Sequence, residues 1–163
     1  MTLHSFKTKL NELIFSKKVF PFALFYLVCG YVVSFVFVGS FYLLKIFLPF
    51  LTHTEGPFKK PTSLTEKIII GLIVAPLFET YIFQDGVFKI LKGKMRDSFI
   101  IFISALLFGL SHFYDLFYTM NTFLIGLVFA VAYRNWEGNN INKFWMIVII
   151  HAMYNLVALL ASL

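Results

Sequence analysis

The sequence predicts an all-α, polytopic transmembrane bundle of about five spans, and three observations carry that prediction. Of the 163 residues, 60% are hydrophobic and only 13% are charged, and the mean hydropathy of +0.83 is too high for a soluble domain of this length. Apolar runs long enough to cross the ~30 Å hydrocarbon core as helices recur along the chain. The cations lie between those runs, where the positive-inside rule puts them. The net charge of +6 therefore indicates a lipid bilayer as partner and no nucleic acid. A lone cysteine, Cys29, within an apolar run excludes an intramolecular disulfide and a Cys-rich metal site.

Residues 1–18 set Phe6, Leu10, Leu13 and Ile14 at helical spacing among Lys7, Lys9, Lys17 and Lys18. This is the pattern of a basic interfacial segment, with a solvated tail as the alternative. Residues 19–64 form the first span and its loop. The apolar run 19–51, interrupted only by Pro21, Gly30, Gly39, Lys45 and Pro49, exceeds one span and predicts a tilted or kinked helix. With no small-residue cleavage site after a short apolar core, it reads as an anchor and not a removed signal peptide. Gly56, Pro57 and Pro61 predict a polar turn over 52–64.

Residues 65–163 form the core domain. Thr65 to Gly93 is the second span, and Pro76 within it predicts a freed carbonyl and a bend near Glu79. Ser98 to about Tyr114 is the third span, and a tight turn at Asp115 leads to the fourth over 117–134. There Gly126 and Ala130 form a small-xxx-small pair suited to close packing. A loop from Arg134 to Lys143 precedes the fifth span, from Phe144 onward. Counted by loops, ten cations fall on one side and four on the other, which predicts a cytoplasmic N-terminus.

Glu79 is the costly residue, because a charge near the bilayer centre costs roughly 2.5 kcal/mol or more and faces protein or water. His112 and His151 each sit in a later apolar segment, with Asn155 one turn beyond His151 and Phe108 one turn before His112. At 1.5 Å per residue, Glu79 and His112 both lie ~21 Å from the cation-rich side, but His151 only ~12 Å. One acid and two imidazoles at membrane depth can hydrolyse an amide. Glu79 would act as general base on a water and then as acid toward the leaving amine. His112 and His151 would either bind a divalent metal such as zinc, with Glu79 as a third ligand, or donate hydrogen bonds to the oxyanion without any metal. Asn155 is a second oxyanion donor or an orienter of His151.

The bland alternatives are specific. A lone buried histidine is usually a packing residue, and His4 and His53 read as solvated. Asp85 and Asp115, near span ends, are not central. Ser111 and His112, adjacent on a helix, should diverge by about 100°.

At these residues the chain resembles the CAAX protease and bacteriocin-processing (CPBP, or Abi) family of intramembrane proteases. That family carries Glu-Glu-xxx-Arg, then Phe-xxx-His, then His-xxx-Asn or Asp on successive core helices. Here the counterparts are Glu79-Thr80-Tyr81-Ile82-Phe83-Gln84, Phe108-Gly-Leu-Ser-His112 and His151-Ala-Met-Tyr-Asn155. The resemblance implies a helical bundle with an intramembrane catalytic cavity in a prokaryotic cytoplasmic membrane, with Glu79, His112, His151 and Asn155 as the catalytic set. It also implies supporting roles for Thr80, Gln84 and Phe108, and a peptide or membrane-protein substrate. Thr80 and Gln84 depart from the motif by losing an acid and a base together, so a neutral hydrogen bond between them is expected to replace an ion pair. The rival function is a non-catalytic membrane scaffold or immunity protein. A proton-coupled transporter is disfavoured by the absence of inverted repeats. Oligomeric state is left open.

Overall fold

The computed structural model describes residues 3–48 and 63–163. The described residues form six helices: α1 (Leu3–Ile14), α2 (Val19–Phe47), α3 (Leu64–Leu91), α4 (Asp97–Ser111), α5 (Leu116–Asn135) and α6 (Lys143–Ala161). Helices α2, α3, α5 and α6 are long and apolar enough to cross a membrane. Helix α4, at 15 residues, is only ~22 Å long. The bundle is that of an integral membrane protein, and its outward surface is correspondingly apolar: Phe35 and Phe47 of α2 are each 80% exposed. The turn expected over 52–64 falls almost wholly outside the described residues, as do His53 and the His4 side chain.

Local chemistry sets the helix starts. The Ser63 hydroxyl accepts the Glu66 N–H at 3.1 Å, the Asp115 carboxylate accepts the Tyr118 N–H at 2.7 Å, and the Asn142 amide oxygen accepts the Trp145 N–H at 3.0 Å. Between α3 and α4 the chain turns at Gly93, whose φ of +82° needs the glycine.

One end of the bundle gathers the cations. Near the start of α2, the Tyr26 hydroxyl accepts a hydrogen bond from Asn135 Nδ2 at the end of α5, at 2.8 Å. The Phe22 ring lies 4.8 Å from that of Trp136. Arg134 Nε donates to Asp97 Oδ2 of α4 at 3.0 Å. The starts of α2 and α4 and the end of α5 thus share one face. In the middle of the bundle, α2 meets α6 through stacked Tyr31 and Tyr154 rings 4.5 Å apart, and meets α5 through a 3.0 Å bond from the Ser34 hydroxyl to Asn121.

Helices α4 and α5 approach backbone to backbone. Gly126 lies in that contact, against Phe108 and Ala105, and Gly109 joins it. A Cβ on Gly109 would fall 2.8 Å from Phe123 Cβ and 2.9 Å from its Cα. Backbone cannot yield as a side chain can, so Gly109→Ala should force the helices apart. We expect a loss of ~1–3 kcal/mol, read as a lowered melting temperature in detergent.

Candidate active site

Helix α3 is not uniform. Two π-helical stretches, Ile69–Val74 and Thr80–Gly86, flank a short α-helical piece, Ala75–Glu79. A π turn carries an extra residue per hydrogen-bonded loop and is frequent at functional sites. Its cause here is partly Pro76. The Ala75 N–H bonds the Ile70 carbonyl, five residues back, and the next link in that pattern would run from residue 76 to the Gly71 carbonyl. Proline has no N–H to give. The Gly71 carbonyl instead accepts from Asn155 Nδ2 of α6 at 2.8 Å. In the second π stretch the Phe83 carbonyl accepts from the Ser104 hydroxyl of α4 at 2.7 Å. Two side chains from other helices therefore hold the widened turns on either side of Glu79.

Held this way, Glu79 meets both histidines. Its Oε2 lies 3.5 Å from His112 Nε2 and 3.6 Å from His151 Nε2. The His151 side chain is buried (4% exposed), whereas those of Glu79 and His112 keep 22% and 18% of their surface. These separations exceed a good hydrogen bond, and Glu79 Oε2 and His151 Nδ1 have no hydrogen-bond partner among the described residues. The depth mismatch anticipated for His151 does not keep it from Glu79.

His112 lies just beyond α4, at φ −105° and ψ 36°. Its Nδ1 bonds the Phe108 carbonyl at 2.8 Å. A carbonyl only accepts, so Nδ1 carries the proton and Nε2 faces Glu79. The end of the helix also brings Ser111 Oγ to 3.1 Å from His112 Nδ1, contrary to the divergence expected of a continuous helix. Ser111 is still no activated nucleophile: its own proton goes to the Phe108 carbonyl at 2.8 Å, and the nearby nitrogen is already protonated. Rings pack the imidazoles in place. His151 sits 4.8 Å from Phe129 and 5.7 Å from Phe108, and His112 sits 4.7 Å from Phe108.

Residues 61–157, well over half of the chain, match the family model described as Rce1-like, type II CAAX prenyl endopeptidase. The chain belongs to this family. Curated proteins and solved structures give no match. The family is that of CAAX-type intramembrane proteases, in agreement with the resemblance read from the sequence.

Within this Rce1-like chain the expected bond between Thr80 and Gln84 is not made. Both residues are 0% exposed, and Thr80 Oγ1 and both amide atoms of Gln84 have no hydrogen-bond partner among the described residues. The threonine hydroxyl sits one bond from Cβ, where a glutamate would reach two bonds further. A buried hydroxyl without a partner is costly, and an apolar isostere removes that cost. Thr80→Val should therefore leave the melting temperature unchanged or raise it, and a drop of several degrees would show that the hydroxyl has a partner.

Sequence reasoning missed Tyr118, whose ring lies 6.4 Å from that of His112 and 5.1 Å from that of Tyr114. The available signal was Asp115 in the tight turn, an N-cap three residues before it. Asn155 also has a partner that spacing could not name, the Gly71 carbonyl. Asp85 stays outside the site, accepting from the Tyr133 hydroxyl at 2.7 Å and pairing with Lys89 at 2.6 Å. Two imidazoles and a carboxylate are donors of the kind that zinc takes. Among the described residues, however, no group of three or more His, Cys, Asp or Glu side chains is arranged to hold a metal ion.

Proposed function

We propose that the chain is an intramembrane endopeptidase that hydrolyses a peptide bond with a water activated by Glu79. The observation that carries this reading is the approach of two imidazole Nε2 atoms to one carboxylate oxygen, at 3.5 Å and 3.6 Å, where α3, the end of α4 and α6 meet. Glu79 takes a proton as the water oxygen bonds to the scissile carbonyl carbon. It returns that proton to the leaving nitrogen as the C–N bond breaks, giving a carboxylic acid and an amine. His151, as its Nε2–H tautomer, donates to the oxyanion. His112, its Nδ1–H held by Phe108, keeps Nε2 on Glu79 and shares the proton. Asn155 holds the turn that presents Glu79, and its second amide hydrogen is available to the oxyanion.

The substrate is a peptide or membrane protein presented at bilayer depth. The membrane is a prokaryotic cytoplasmic one, with the cation-rich face and the N-terminus inside. The alternative use of Glu79, His112 and His151, as ligands of one divalent metal, is decided by the metal content of the purified chain and of its Glu79→Gln variant. The rival scaffold or immunity reading draws on the unpartnered Thr80 and Gln84 where the family motif has a charged pair.

Comparing membrane-protein termini by mass spectrometry in cells making wild type or Glu79→Gln at matched levels tests the proposal. New termini with wild type alone would support the protease and identify its substrate. Identical termini, with the variant folded and inserted, would favour the scaffold.

A further inference from the structure

Away from Glu79, at the cation-rich end, a cavity of about 480 Å³ opens between the end of α3, the end of α5 and the start of α6. Lys89 and Lys143 line it, together with Asp85, Tyr133, Tyr81 and Phe144. The Asp85 carboxylate is already engaged: Oδ1 accepts from the Tyr133 hydroxyl and Oδ2 pairs with Lys89. Lys143 differs. Its Nζ donates to a neutral acceptor, the Arg134 carbonyl, at 2.9 Å and lies 5.9 Å from the centre of the Tyr133 ring. Its remaining ammonium hydrogens, and those of Lys89, are free to meet an anion. Tyr81, 61% exposed, and Phe144 add an apolar wall on the bilayer side, and neighbouring Trp145, 49% exposed, is a residue of the membrane interface. Lys92, also exposed, does not line the cavity.

From this geometry we infer that the cavity binds the phosphate of an anionic phospholipid headgroup, with Lys143 and Lys89 on the phosphate oxygens and Tyr81 and Phe144 against the glycerol and first acyl carbons. Basic pockets between membrane helices suit such headgroups. A phosphate anion is the shared chemistry of a lipid and of free phosphate, and the apolar wall favours the lipid.

The test uses the full-length chain, delipidated in detergent and titrated with short-chain phosphatidylglycerol, short-chain phosphatidylcholine or inorganic phosphate, with bound ligand counted by native mass spectrometry. Phosphatidylglycerol should bind in preference to phosphatidylcholine. Lys143→Gln and Lys89→Gln should each weaken it about fivefold, Lys143→Arg should retain it, and Lys92→Gln should leave it unchanged. If Lys143→Gln does not fold, Lys89→Gln, altered at an exposed side chain, carries the comparison. Equal binding of the two lipids, an equal loss in Lys92→Gln or undiminished binding in both cavity variants would overturn the site. Inorganic phosphate binding with the same lysine dependence but no preference for phosphatidylglycerol would overturn the lipid assignment.

Discussion

Glu79→Gln should lower peptide-bond cleavage by roughly 10²- to 10⁴-fold, the range expected for removal of a general acid-base group, while the protein still inserts and folds. Glutamine keeps the shape of the side chain but cannot accept and return a proton. Glu79 Oε2 already lacks a hydrogen-bond partner, so the change breaks no bond that supports the fold. If Glu79 and His112 share one proton, their losses will not add. His112→Ala alone should cost activity, yet the double variant should be about as slow as Glu79→Gln alone, because groups acting as a unit are non-additive. Single-turnover rates on one reconstituted peptide substrate, with melting temperatures for each variant, check this. Full activity in Glu79→Gln would remove the carboxylate from the mechanism, and additive losses would separate the two residues into independent roles.

Much of this arrangement could be read from residue order because the membrane makes charge placement expensive. Glu79, His112 and His151 stood out as polar groups in apolar runs, and span limits followed hydropathy closely: the fourth was expected over 117–134 and α5 runs Leu116–Asn135. What could not be read was helix type. Nothing in Ile69–Val74 or Thr80–Gly86 announces a π turn, since the extra residue per turn depends on which carbonyls other helices can satisfy. Pro76 pointed to a loose carbonyl, but only the packing of α6 reveals that Asn155 takes it. The same limit applies to Ser111, whose contact with His112 exists because α4 stops at Ser111, about three residues before the end expected near Tyr114. Thr80 and Gln84 fail in the opposite sense: correct i, i+4 spacing does not make a bond when one side chain is too short. Hydropathy thus marks which residues face protein, and the backbone distortion that presents them depends on long-range partners.

The link between Pro76 and Asn155 yields a second large effect, which separates support from chemistry. Asn155→Leu leaves the Gly71 carbonyl without its side-chain donor, and an unsatisfied buried polar group costs ~1–3 kcal/mol. Pro76→Ala supplies a backbone N–H five residues beyond Gly71, in line with the Ala75 to Ile70 bond that precedes it. In that background the same Asn155→Leu change should cost almost nothing, giving a coupling of ~1–3 kcal/mol in a double-variant cycle of unfolding free energies. An equal cost in both backgrounds would mean that the asparagine does not compensate for the missing proline hydrogen. Activity then distinguishes the two roles open to Asn155. If Pro76→Ala restores stability and cleavage together, the amide acts by holding the turn that presents Glu79 to the histidines. If stability returns while cleavage stays low, and Pro76→Ala alone is active, the second amide hydrogen is needed in the reaction, where an oxyanion between His151 and Asn155 would take it.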